Sequence, residues 1–191
     1  MSVFEYLGVL LSVILGLGLT HILSGVSKTI HARETMKIYW VHLLWALSVV
    51  IYIVVIWWGM FWWSSQESWT FYEFLLLIIY AVFLFMSASL LFPWDMPKDL
   101  DLEEHFYKTR PWFFSVMTLT WLLDIPETML KAQGNLRDVP SLYFFFVAVQ
   151  LSILVACLVT DNRTWHKIAA VIWPTFIFGF LSVTTLAKIA T

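Results

Sequence analysis

Cysteine is almost absent from this chain of 191 residues: Cys157 stands alone, which excludes an intramolecular disulfide and any cysteine-based zinc centre. Charge is also scarce. Asp, Glu, Lys and Arg make up 13% of the chain, against about 25% in a soluble domain. The net charge of −2 leaves no basic footprint for nucleic acid. No GxSxG, phosphate-loop or dinucleotide glycine pattern occurs, and no HxxxH or HExxH spacing. A non-enzymatic role is therefore preferred. Long polar segments are missing too. The longest connection between apolar stretches, Pro93–Arg110, is too short for an extramembrane domain, so any activity has to lie between helices or at a membrane face. The N-terminus lacks a basic n-region and a clear cleavage site, so the first apolar run is expected to be a retained helix, not a signal peptide.

What fills the chain is apolar sequence: 61% of residues are hydrophobic and the mean hydropathy is +0.82. A helix needs about 20 mainly apolar residues to cross a bilayer. Six stretches qualify: Val3–Gly25, Ile38–Trp62, Thr70–Phe92, Pro111–Leu130, Val139–Thr160 and Thr164–Ala187. The expected fold is all-α, a single polytopic bundle of six transmembrane helices. A short interfacial helix is expected between the third and fourth, where Leu102 and Phe106 share an apolar side and acids the other. Asp99, Asp101 and Glu103 resemble the start of a calcium loop. Glu104 stands where the turn glycine belongs and Arg110 where the last ligand belongs, so first-turn acids of a helix are the better reading.

Lysine and arginine set the expected orientation. Lys28, Arg33, Lys37, Lys98, Lys108, Arg110, Arg163 and Lys167 fall on one side, and only Lys131, Arg137 and Lys188 on the other. Both termini are then expected outside the cytoplasm. The five tryptophans between Trp57 and Trp69 are expected to form an outer aromatic belt, with Trp40, Trp94, Trp112 and Trp165 at the inner interface.

The ionisable residues inside the spans locate candidate sites. Asp124 and Glu127 share a face of the fourth helix with Thr120, Thr128 and Lys131. A charge at such depth costs about 2.5–3.5 kcal/mol on insertion scales and usually faces a protein interior or cavity. Two structural readings compete: a Glu127–Lys131 pair at i,i+4, or a helix break near Leu123 with Asp124 as N-cap and Pro126 in the first turn. His21 and His42 sit at matching depths near the inner face. They fit axial haem ligands, a metal site or a proton relay, and equally two hydrogen-bonded histidines at headgroup depth. No cofactor is the preferred expectation, with haem on His21/His42 as the alternative. His31, His105 and His166 lie in or beside inner connections and offer a further shared metal site without a spacing that supports it. Tyr52, Tyr80 and Gln150 place polar groups between the two ends, although Gln150 also suits a plain interhelical hydrogen bond. Gly8, Ser12, Gly16, Thr20 and Ser24 form a small-residue ladder on the first helix, suited to packing within the chain or against a second copy.

The run Tyr39-Trp-Val-His-Leu-Leu-Trp45, with Phe92-Pro-Trp94 and Glu104-His-Phe-Tyr107, resembles a group of small, uncharacterised bacterial six-span membrane proteins. The resemblance implies a bacterial inner membrane and carries no activity. Three functions remain open. The first is an ion or proton channel or small-solute transporter using Asp124, Glu127, Gln150, Tyr80, Tyr52, His21 and His42. The second is a haem-binding electron carrier. The third is a membrane sensor or assembly partner working through the helix ladder. The expected partners are the lipid bilayer, a second copy, and a small ion or solute.

Overall fold

The structure is a computed structural model describing residues 2–66, 68–132, 139 and 141–189, without the side chains of 65 and 183–189. Arg137 and the Lys188 side chain, which entered the charge count, lie outside the described residues. Among these the architecture is all-helical: α1 (Val3–His31), α2 (Trp40–Gly59), a 3₁₀ helix (Met60–Ser65), α3 (Phe71–Ser89), α4 (Leu102–Lys131), α5 (Ser141–Val159) and α6 (Arg163–Ile189). Four segments are long and apolar enough to cross a membrane: α1, α2 with its 3₁₀ extension, α3 and α5.

Local chemistry sets the helix starts. Ser2 and Glu5 close a capping box at α1, and Thr70 and Glu73 close another at α3. Asp101 accepts from the backbone N–H groups of Glu103 and Glu104 at the start of α4. Asn162 does the same for Thr164 and Trp165 at α6. Asp101, Glu103 and Glu104 thus serve a helix N-terminus.

The separate interfacial helix is not formed. Residues 102–110 are the opening turns of α4, which runs unbroken for 30 residues with Pro111 and Pro126 inside it. At about 1.5 Å per residue it is some 45 Å long. The break near Leu123 is absent as well, so Asp124 is a mid-helix residue and not an N-cap. Pro126 is exposed on the outside of the helix.

Consecutive helices alternate in direction. One end of the bundle carries the start of α1, the α2–α3 connection and the end of α4; Tyr6 stacks on Phe74 there and Trp63 meets Glu127. This is termed the terminal end. The opposite, loop end is tied by ion pairs: Lys37 with Asp101 and Glu103, Arg163 with Glu103, and Arg110 with Asp161. A short parallel backbone bridge joins Lys37 to Asp101. The hydrogen bond from Lys37 holds the Asp101 carboxyl below its ordinary value, and Asp101 in turn holds the Lys37 ammonium above its own.

Helix α2 is the centre and touches α1, α3, α4 and α6. Helix α1 packs on α3 and on Phe92 just beyond it; Gly18 gives ordinary contact, and only the approach to Phe92 requires glycine. A Cβ on Gly18 would lie 3.4 Å from Ala88 Cβ, and one on Gly25 would lie 2.3 Å from the Phe92 ring. The Gly8–Ser24 ladder faces elsewhere: a Cβ on Gly8 or Gly16 would meet nothing within 4 Å. Intrachain packing therefore uses the second strip, Gly18–His21–Gly25, and leaves the ladder open.

Polarity runs opposite to that of a water-soluble bundle. Val9, Val13, Leu17, Leu47, Val54, Ile79, Leu119, Phe145, Val171 and Phe176 are exposed, whereas His42, Ser48, Ser87, Thr120, Glu127 and Gln150 are buried. Exposed apolar surface on every helix suits lipid, not water.

Candidate functional site

The last two turns of α4 present Asp124, Glu127, Thr128 and Lys131 at i, i+3, i+4 and i+7, so one stripe of the helix is polar and faces the bundle. The chain folds this way because the remaining neighbours on the helix, such as Leu119, Leu122 and Pro126, occupy the outer side.

Asp124 is held by tyrosines from two other helices. Tyr80 of α3 donates to its Oδ1 at 2.8 Å, and Tyr143 of α5 donates to its Oδ2 at 2.9 Å and to its backbone carbonyl at 3.1 Å. Tyr52 of α2 extends the chain, its hydroxyl 3.0 Å from that of Tyr80. Both carboxylate oxygens therefore have hydroxyl partners from other helices. Among the described residues no cation lies within ion-pair distance of Asp124.

Glu127 is treated differently. It is 3% exposed, and its Oε1 receives both the Lys131 ammonium at 2.6 Å and the Trp63 indole N–H at 2.8 Å. Trp63 itself is 1% exposed. It is an interior hydrogen-bond donor and not a member of the outer belt, whereas Trp57, Trp58 and Trp62 are exposed as expected. The i,i+4 pairing of Glu127 with Lys131 is formed. Gly59 leaves room for that ammonium, which lies 3.6 Å from where a Cβ would be.

A cavity of about 210 Å³ opens beside this stripe, between α2, α4, α5 and α6. Asp124, Glu127, Thr128 and Lys131 form its polar wall. Tyr52, Trp121, Tyr143, Phe146 and Phe180 form much of the rest. Toward the loop end an aromatic layer closes it: Tyr52 stacks on Trp121 at 5.2 Å, Trp173 packs against both Tyr52 and Trp45, and Trp45 against Phe114.

The structure thus brings Tyr52, Tyr80 and Asp124 into one hydrogen-bonded chain and sets Glu127 beside it. The other candidates stand apart. Gln150 is fully buried and donates to the Trp173 carbonyl at 3.4 Å, an interhelical link. His21 bonds to the Phe92 carbonyl at 2.8 Å and tilts over Trp94. His42 packs edge-on to the Phe92 ring at 4.8 Å. Phe92, seated on Gly25, contacts both histidines. His42 is 0% exposed, and among the described residues neither of its ring nitrogens finds a partner; the nearby His105 Nε2 is likewise buried and unpaired there. The two rings lie 5.9 Å apart. His166 bonds to the Thr160 carbonyl, and His31 to that of Ser27. Among the described residues no three His, Cys, Asp or Glu side chains converge on a metal position.

Sequence reasoning missed Tyr143, Trp63 and Trp121. Tyr143 carried a signal, since it shares a seven-residue stripe with Gln150 and Cys157. Trp63 and Trp121 carried none beyond being tryptophans. Compared with protein-family models, curated proteins and solved structures, the chain matches none of them.

Proposed function

We propose that all six helices cross a bacterial inner membrane, α4 through residues 111–130, and that the chain is a small-solute or proton-linked transporter whose outward site is the Asp124 cavity. The apolar outer faces of α4 and α6 support six crossings. The lysine and arginine excess at the loop end supports the reading of that end as cytoplasmic and of both termini as outside. The observation that carries the function is the Asp124 carboxylate, held by Tyr80 and Tyr143, without an ion-pair partner among the described residues, on the wall of a cavity. An intramembrane acid of this kind marks an ion or substrate path. The aromatic layer beneath the cavity favours a transporter with one closed side over an open channel. Glu127 belongs to the supporting structure, since its charge is already matched by Lys131.

Proteoliposomes loaded with a pH-sensitive dye test this reading. Wild-type protein should carry a proton flux that Asp124→Asn abolishes. Equal flux from a folded Asp124→Asn protein would remove Asp124 from the mechanism.

The open ladder supports a second proposal, association with another copy of the chain through α1. A Cβ on Gly8 or Gly16 would meet nothing within 4 Å among the described residues, and close backbone approach is what such faces allow in lipid. Gly16→Leu should shift the oligomeric state measured by mass photometry in detergent; an unchanged mass would count against it.

A further inference from the structure

We propose that the loop-end half of α1 binds an anionic phospholipid, its phosphate on Lys28 and its glycerol esters on Ser24 and Thr20. The inference needs α1 to lie in lipid and does not rest on transport. A cavity of about 180 Å³ lies between α1 and residues 92–94. Thr20, Ser24, Lys28 and Trp94 line it and are exposed, so it opens on the outer surface of the bundle. Leu17 and Leu23 are exposed on the same stretch of α1, and such a surface suits acyl chains.

Charge selects an anion. No Asp or Glu lines this cavity. Among the described residues the Lys28 ammonium has no ion-pair partner. It donates to the Trp94 carbonyl at 3.5 Å, which leaves two of its three N–H donors. A second cavity, of about 530 Å³, shares Lys28. It adds Lys98, also without an ion-pair partner among the described residues, and Glu34 as the one acid on its wall. A headgroup reaching past the phosphate would meet two ammonium groups and one carboxylate, which favours a net negative headgroup.

The hydroxyls select a lipid over a free anion. On the same helix, Ser12 and Thr29 turn back to the carbonyls of Val9 and Gly25. Thr20 and Ser24 do not: among the described residues neither hydroxyl has a hydrogen-bond partner. With Lys28 they stand at i, i+4 and i+8 on one face. Ser24 and Lys28 are therefore about 6 Å apart along the axis, and the headgroup layer of one leaflet is roughly 5–7 Å thick. A phospholipid presents its acceptors in this order, ester carbonyls deeper and phosphate shallower. Trp94 is exposed beside Lys28, where an indole anchors at an interface. Basic pockets beside membrane helices hold anionic headgroups by this chemistry.

Delipidated protein in detergent is titrated with dioleoylphosphatidylglycerol, dioleoylphosphatidylcholine and dioleoylglycerol, and bound lipid is counted by native mass spectrometry. One phosphatidylglycerol per chain is expected, held at least about 5-fold tighter than phosphatidylcholine, with dioleoylglycerol weakest. Lys28→Met should weaken phosphatidylglycerol at least about 5-fold, and Thr20→Val/Ser24→Ala about 3-fold or more. Lys167→Met removes another exposed loop-end lysine and should bind as wild type. Equal losses in Lys28→Met and Lys167→Met would reduce the effect to general surface charge and overturn the site. Equal binding of the three lipids, or undiminished binding by both α1 variants, overturns it as well. Displacement of the lipid by equimolar glycerol 3-phosphate would assign the cavity to a soluble phosphate and overturn the lipid.

Discussion

Replacing Lys131 with Met isolates the electrostatic role of Glu127. In the wild type, Glu127 Oε1 accepts Lys131 Nζ at 2.6 Å and Trp63 Nε1 at 2.8 Å, and the glutamate is 3% exposed. Removing the ammonium leaves a buried charge with a single neutral donor. Breaking a fully buried pair costs about 3–5 kcal/mol. The Lys131 side chain is 22% exposed, so water reaches part of the gap and about 3 kcal/mol is expected, roughly a 150-fold loss in the folding equilibrium. The double variant Glu127→Gln/Lys131→Met removes both charges and keeps an acceptor for Trp63. It should lie within about 1 kcal/mol of wild type. Reversible unfolding in mixed micelles, followed by tryptophan fluorescence against the mole fraction of SDS, measures all three proteins. A Lys131→Met cost under about 1 kcal/mol, or a double variant as damaged as the single, would refute the buried-pair argument.

Three further outcomes follow from named contacts. Gly25→Ala should destabilise by about 1–3 kcal/mol in the same assay because its Cβ falls 2.3 Å from the Phe92 ring, while Gly8→Ala should be almost silent; equal effects would contradict the packing of α1 on Phe92. His42→Phe should leave stability unchanged or raise it, since it deletes two buried nitrogens without partners; a loss above about 2 kcal/mol would show that the imidazole is satisfied by something it binds. At the loop end, Asp101 has a folded-state pKa below its ordinary value. Its contribution is therefore present above the ordinary carboxylate range and lost as the pH falls through the lowered value. NMR titration should show the Asp101 midpoint rise in Lys37→Met, and an unmoved midpoint would contradict that pairing.

Much of the fold was legible because bilayer-length apolar runs and capping residues are local signals. Ser2–Glu5 and Thr70–Glu73 announce helix starts within four residues. The fourth helix left two readings open for a physical reason, and the structure forms the continuous helix with the Glu127–Lys131 pair. Asp124-Ile-Pro-Glu127 carries the local chemistry of a helix start, but the tertiary bonds of Asp124 to Tyr80 and Tyr143, and of Glu127 to Trp63, hold those turns in one continuous helix. The candidate site was legible only in part. Asp124 stood out by the cost of its charge in an apolar span. Its partners are 44 and 19 residues away in sequence, and no spacing rule reports such pairings. Trp63 was lost among surface tryptophans because side-chain type alone does not distinguish an interfacial indole from a buried donor. Whether His21 and His42 meet was not legible either: equal depth brings them to one level, but Phe92 contacts both, seated on Gly25.

The central claim is that the cavity beside Asp124 is open to solutes from the terminal end and negative. Thr128 lines it, and Cys157, the sole native cysteine, is buried. A Thr128→Cys protein in a Cys157→Ala background is treated, in sealed vesicles of known orientation, with cationic and anionic membrane-impermeant methanethiosulfonates of similar size. Reaction should occur from the side of the termini, at least about 10-fold faster with the cationic reagent, and the preference should vanish when Asp124→Asn is added. An unreactive Thr128→Cys, or equal rates with the two reagents, would contradict the account.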